Sequence, residues 1–378
     1  MRKIICFFIS VCFMMSAYPV MAEGVEANAE SVILIENSTG EVLYENNADA
    51  RLPIASVTKV MTMLLIMEEI DNGNLTFDDM VYVSENAMSY GGSTMFLEAG
   101  EQLTVNDMLK GIAVASANDG CVAMAEHITG SESAFVNMMN DKAKELGMEN
   151  TNFMNTNGLD DDNHYSSARD VAIMSRELMK HEKIFDYTTI WTDSLRNGEF
   201  ELANTNKLIR YYDGANGLKT GSTSKAKCCI SAAAKRDNMQ LTAVVLAAPT
   251  SDDRFKAARN LLDYGFANYS INNLAEANEE IAKAAVKKGV AQEVSAVTGE
   301  SVSALFKRGD GKEITRDVQI DENLSAPIKK GDKIGKVSFM SADECVGETD
   351  LFAAEDVNKK GIGLILKQFF ISILGGIL

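Results

Sequence analysis

Apolar and polar positions change period several times along this chain, and each change marks an element. Val32–Glu36 and Glu41–Glu45 are short apolar-rich runs around Asn37-Ser-Thr-Gly40, which predicts two strands joined by a hairpin turn. From Ser56 to about Ile70 the apolar residues recur at helical spacing, and Asp71-Asn-Gly73 closes the run. Val81–Ser84 reads as a small strand and Tyr90-Gly-Gly-Ser-Thr94 as a loop. Thr104-Val-Asn-Asp107 resembles a capping box and opens a helix through Val114. Cys121–Ile128 and Ser133–Leu146 are further helices. A long polar loop, Thr151 to Tyr165, precedes one more, Ser167 to Lys180. Cys228–Ala234 and Met239–Ala248 carry strong β-character, and Asp252–Phe266 is amphipathic. Strands at both ends with helices between them predict an α+β fold, one sheet built from distant segments with helices packed on it.

After Phe266 the pattern shifts. Ala267–Asn273 reads as a linker. Short alternating stretches follow (Gly289–Val297, Val302–Phe306, Val318–Ile320, Ile334–Phe339), separated by turns at Gly309-Asp-Gly311 and Lys330-Gly-Asp332. They predict a small all-β module over 276–352. The two ends differ again. Met1-Arg2-Lys3, an apolar run to Val20 and Met21-Ala22-Glu23 have the form of a signal peptide cleaved after Ala22. That predicts export. Residues 356–378 form an apolar tail behind Lys359 and Lys360, broken by Lys367 and Gln368. It reads as an amphipathic helix lying at a membrane interface, because Phe369 to Leu378 would be costly to expose.

Composition narrows the partners. The chain has 378 residues, with 46% hydrophobic and 24% charged. Net charge is −18, which disfavours nucleic acid as a partner. Beyond the signal, Cys121, Cys228, Cys229 and Cys345 show no metal-binding spacing and read as free thiols. His127, His164 and His181 are spaced unlike a zinc site. The chemistry is therefore expected to run without a metal or cofactor.

Ser56 and Lys59 lie three apart at the mouth of the first helical run, after Pro53. On a helix they share a face, so the Lys59 amine falls near the Ser56 hydroxyl. Free backbone N–H groups at that helix start offer an oxyanion donor. Alone, this pair is also what an ordinary helix start looks like. Ser116-x-Asn118 between two helices and Lys219-Thr-Gly221 at the opening of a strand complete an ordered triple. That motif set is the one used by penicillin-binding proteins and class A β-lactamases.

The wider text resembles the serine-type D-alanyl-D-alanine carboxypeptidases, the low-molecular-weight penicillin-binding proteins. The matching stretches are Leu52-Pro-Ile-Ala-Ser-Val-Thr-Lys59, Ala115–Asp119, Asn157-Gly-Leu-Asp160 with His164–Asp170, and Gly217-Leu-Lys-Thr-Gly-Ser-Thr223. Lys227 stands where glycine is common, and Asn216 where aspartate is. The resemblance implies a catalytic domain over 23–268 that removes the terminal D-Ala from peptidoglycan pentapeptides through an acyl-enzyme, with β-lactams as covalent inhibitors. It implies Ser56 as nucleophile, Lys59 as its base and Ser116 as proton relay. Lys59 would be kept neutral by burial and by Lys219. Asn118, Lys219, Thr220, Gly221 and Ser222 would bind substrate, with the backbone N–H groups of Ser56 and Ser222 as the oxyanion hole. His164 is expected to brace its loop. Two other readings remain at this stage. A β-lactamase would need a glutamate to activate water, for which Glu201 is the nearest candidate. A non-catalytic wall sensor would keep the fold without the reaction.

Overall fold

The computed structural model describes residues 25–310 and 313–361. The expected signal peptide and residues 362–378 of the expected tail lie outside these residues, while Val357, counted in that tail, is buried in the core of the C-terminal β-module and bridges to Ile328. The chain opens with the hairpin β1 (Ser31–Glu36) and β2 (Val42–Asn46). A 3₁₀ turn, Ala55–Thr58, leads into α1 (Lys59–Asp71). Lys59 through Met67 are all buried, which makes α1 the central helix of its layer rather than an amphipathic surface helix.

β3 (Met80–Tyr82), α2 (Glu85–Met88) and β4 (Gln102–Thr104) form a small lobe, with β3 and β4 paired. Thr104 caps α3 (Val105–Lys110) by accepting from the Asp107 N–H, as its sequence predicts. A π-helical turn, Gly111–Ala115, follows, then α4 (Asn118–Thr129), α5 (Glu132–Glu145) and α6 (Ala168–Leu178). α7 (Phe185–Thr188) precedes a hairpin that the sequence pattern does not reveal, β5 (Thr192–Leu195) and β6 (Phe200–Ala203). α8 (Leu208–Tyr211) leads to three long strands, β7 (Ala215–Thr223), β8 (Lys227–Arg236) and β9 (Met239–Ala248), and to α9 (Ser251–Asn268).

The main sheet runs β2-β1-β9-β8-β7 and is antiparallel throughout. The two ends of the domain are thus joined side by side, with Val32 opposite Val245. All six residues of β1 are buried because both faces of the sheet are covered. Ile33 and Ile35 join the core of the helical layer with α1, α4 and α6, while Val32 and Leu34 face Phe255, Ala258, Leu261 and Leu262 of α9. β7 stands at the free edge of the sheet.

The stretch expected as a linker is instead the end of α9 and the start of β10 (Tyr269–Ala275). Its Tyr269 and Ile271 pack on the α9 side of the first domain, which favours an ordered strand over a flexible connection. β11 (Glu280–Ala285), β12 (Glu293–Thr298), β13 (Val302–Lys307), β14 (Ile314–Ile320), β15 (Lys333–Ser341) and β16 (Glu344–Ala353) complete the all-β module. β10 pairs with β13, and the other five form a sheet around Val294, Ala296, Val337, Phe339 and Leu351.

Candidate active site

Ser56 sits in the 3₁₀ turn one step before α1. In that geometry residues three apart eclipse one another, so Lys59 lies directly beneath Ser56. The Lys59 Nζ is 2.8 Å from Ser56 Oγ. Two backbones press on the turn. A Cβ on Gly158 would come 1.9 Å from the Ala55 carbonyl oxygen, and one on Gly221 would come 2.8 Å from the Ser56 nitrogen. Gly158 also holds φ +87, a conformation that suits glycine.

Lys59 is fully buried, and its amine has three oxygen neighbours: Ser56 Oγ, Asn118 Oδ1 at 2.7 Å and the Asn157 carbonyl at 2.6 Å. The last two oxygens can only accept. A neutral amine has two hydrogens and one lone pair, so the hydrogens go to Asn118 and Asn157 and the lone pair faces the Ser56 hydroxyl. Burial pushes the amine down to about 8, while Cys121 and Asp119 oppose that shift. Lys219 is also fully buried, with one acceptor, the Thr220 carbonyl at 3.0 Å. Burial holds it well below the ordinary lysine range, and the Lys59 charge adds to that. Here the expectation is corrected. Burial lowers Lys59 without a contribution from Lys219, whereas Lys219 is lowered by burial and then by the Lys59 charge.

Ser116 follows the π-helical turn in a left-handed conformation, φ 64, and is nearly buried. π turns and strained residues of this kind gather at functional sites. Asn118 opens α4 and is spanned on both sides. Its Oδ1 takes the Lys59 hydrogen and its Nδ2 donates to the Gly91 carbonyl at 2.7 Å. Its neighbour Asp119 is buried and accepts from the Met95 and Leu97 N–H groups, which fixes the segment that follows the Tyr90–Thr94 loop.

Lys219-Thr-Gly221 lies in the middle of β7 rather than at its start. The strand begins earlier because Ala215 and Gly217 already pair with β8. Thr220 is nearly buried and its hydroxyl meets Thr205 Oγ1 at 2.7 Å. Ser222 is exposed at the end of the strand. All eight residues picked out in the sequence therefore lie on three segments: the 3₁₀ turn with α1, the link from the π-helical turn into α4, and β7.

His164 is outside the reacting group. Its Nδ1 accepts from the Met154 N–H at 3.1 Å, so its Nε2 carries the hydrogen and donates to Thr58 Oγ1 at 2.7 Å. It ties the long loop to the turn bearing Ser56, as a bracing histidine would. Glu201 is exposed on β6, and none of the Lys59 or Ser56 hydrogen bonds goes to it.

Sequence reasoning missed three contributors. The Asn157 carbonyl is a backbone group and leaves no side-chain signal. Thr205 is seen only through its contact with Thr220. Glu132 accepts from the Thr156 N–H and hydroxyl on one oxygen and from the Tyr90 hydroxyl on the other. It thereby joins the two loops whose carbonyls, at Gly91 and Asn157, anchor Asn118 and Lys59. A helix-capping acid in the first turn of α5 is all its sequence context announces.

A half-buried serine bonded to a fully buried lysine, between a helical layer and a free strand edge and with no histidine bonded to the serine, fits a serine-type hydrolase. The comparisons are specific. A family model described as D-alanyl-D-alanine carboxypeptidase matches residues 18–250, and one described as the C-terminal domain of penicillin-binding protein 5 matches 269–359. D-alanyl-D-alanine carboxypeptidase DacF of Bacillus subtilis is 46% identical, over 90% of this chain and 88% of that protein. The crystal structure of penicillin-binding protein 5 from Haemophilus influenzae superposes with a TM-score of 0.76 at 32% identity, covering 88% of this chain and 98% of that one. Penicillin-binding protein D2 of Listeria monocytogenes, solved in its ampicillin-bound form, matches with a TM-score of 0.57 at 31% identity, over 64% of this chain and 99% of that one. This chain belongs to the D-alanyl-D-alanine carboxypeptidase family of serine-type hydrolases, the penicillin-binding proteins with a C-terminal β-domain.

Proposed function

We propose that Ser56 is the nucleophile of a carboxypeptidase acting on peptidoglycan stems that end in D-Ala-D-Ala. The observation that carries this reading is the Lys59 amine, with two carbonyl-type acceptors for its hydrogens and Ser56 Oγ for its lone pair. Lys59 takes the Ser56 proton as Oγ attacks the carbonyl of the penultimate D-alanine. The developing oxyanion is held by the N–H groups of Ser56 and Ser222. The C–N bond breaks, the terminal D-Ala leaves with a proton relayed by Ser116, and water hydrolyses the ester. Asn118 holds Lys59 and the substrate amide. Thr220 and Lys219 receive the terminal carboxylate. An arriving anion favours the charged form of Lys219, and a charged Lys219 disfavours charge on Lys59. Substrate binding itself then frees the base. Gly221 leaves room for the peptide to lie along β7 as an added strand.

The reading extends to location. The basic, apolar and small-residue start of the chain supports export, and the apolar tail behind Lys359 and Lys360 supports attachment to the outer face of the cytoplasmic membrane. Among the described residues no helix is long and apolar enough to cross a membrane. A chain stopped at Lys360 should stay in solution when mixed with lipid vesicles that sediment the full chain.

Mass spectrometry of the intact protein after penicillin treatment tests the chemistry. One penicilloyl adduct on Ser56 with a long lifetime is expected, and Ser56→Ala should abolish both the adduct and D-Ala release. Release that persists in Ser56→Ala overturns the nucleophile. Rapid turnover of penicillin overturns the carboxypeptidase reading in favour of a β-lactamase.

A further inference from the structure

Among the described residues, Arg254 is a buried cation to which its surroundings offer no carboxylate. It is 6% exposed and lies in the first turn of α9, where the helix dipole repels positive charge. Its Nη2 donates to Ser251 Oγ at 3.1 Å, and its Nη1 reaches two carbonyls, Gly221 at 3.2 Å and Cys229 at 3.4 Å. None of these is a carboxylate, and its Nε is buried without a partner among the described residues. One face of the guanidinium lies 4.5 Å from the Phe255 ring. Burial holds its affinity for a proton below the ordinary arginine range. A methionine of similar volume would fill the space without desolvating a charge.

The two carbonyls explain the position. Gly221 and Cys229 are opposite one another in the β7–β8 ladder. One guanidinium nitrogen meets both, so both carbonyls point into the space between these strands. Along a strand the backbone groups alternate in direction. The Ser222 N–H therefore points the other way, out of the free edge of β7, next to Gly221, on which a Cβ would come 2.8 Å from the Ser56 nitrogen. The Gly221 carbonyl and the Ser222 N–H are the two ends of one trans peptide unit. A cation on its oxygen enlarges the dipole of that unit, and hydrogen bonds in such a chain polarise one another.

We propose that Arg254 is a positioning residue of the reaction, which polarises the Gly221–Ser222 peptide from behind and so strengthens the Ser222 N–H as an oxyanion donor. This rests on the assignment of Ser56 and of the Ser222 N–H made above. Arg254 never touches substrate. It acts through one peptide bond, from the opposite face of the sheet.

The ester carbonyl of the penicilloyl-enzyme reports the donor directly. With benzylpenicillin labelled with carbon-13 at the β-lactam carbonyl, infrared difference spectra of the full chain isolate that band. Arg254→Met should move it to higher wavenumber than in the unsubstituted protein and slow acylation about tenfold, a weakening rather than the loss of an oxyanion donor. Its melting temperature should be unchanged or higher. Arg254→Gln keeps a donor for the two carbonyls without the charge, and should give the same band shift if Arg254→Met does not fold. A band unmoved in the folded variants overturns the inference, whatever happens to the rate. If the unsubstituted protein forms no ester on Ser56, the assignment of the nucleophile fails instead, and that result is separate from the comparison between variants.

Discussion

Lys59 has three oxygens around one nitrogen, and this arrangement sets the pH dependence of the reaction. The base works only when neutral, and burial places its titration at about 8. Acylation by penicillin should therefore rise tenfold per pH unit below about 8 and level above it. The second-order rate measured across that range checks this, and Lys59→Arg, which stays charged, should lose about a thousandfold. His164 acts on stability instead. Burial pushes it from 6.5 down to about 4 in the folded protein. Above 6.5 the folded and unfolded chains are both neutral there, and this histidine takes nothing from stability. As the pH falls from 6.5 to 4 only the unfolded chain takes up the proton, so stability is lost, by about 3 kcal/mol over the window. Urea midpoints against pH for the unsubstituted chain and for His164→Gln should diverge in that window. At this scale the chemical side chains were legible, because Ser56, Lys59, Ser116, Asn118 and Lys219 stand at motif spacing. The electrostatics were not. That burial holds Lys219 below the ordinary lysine range depends on what surrounds it, and spacing carries no record of burial.

Elements hold these groups by close approach of backbone. Gly158 is the sharpest case, since any side chain there meets the Ala55 carbonyl. Gly158→Ala should destabilise the fold by more than about 2 kcal/mol and slow acylation, because the turn bearing Ser56 must move. Thermal melting and acylation kinetics together test it. Helices with clear period and caps, such as α3 after Thr104 and α6 after Ser167, were readable from the chain. So were β8 and β9, whose apolar runs are long. The β5–β6 hairpin was not, since Thr192-Asp-Ser-Leu195 carries little apolar signal and its strands pair on a polar surface. Tyr269–Ala275 was misread for a related reason. Its polar residues suit a connection, and only the packing of Tyr269 and Ile271 on the first domain makes it a strand.

At the scale of the whole molecule, the two modules have separate cores joined by β10 and β13. No residue of the β-module takes part in the hydrogen bonds of Lys59 or Lys219. A chain ending at Asn268 should therefore acylate at the rate of the full chain, with a lower melting temperature from the lost packing of Ile271 and Leu305. Stopped-flow acylation and calorimetry of the two chains would decide it.

The order of strands in the main sheet also governs when the molecule becomes an enzyme. β1 is made early but must wait for β9, the far end of the domain, and β7 reaches the sheet only through β8 and β9. Contacts so distant in sequence form late and slowly. A nascent chain that already contains Ser56, Lys59 and Ser116 has no strand edge beside them and no second lysine. The strand edge beside Ser56 is therefore complete only after synthesis has passed Ala248, the last residue of β9.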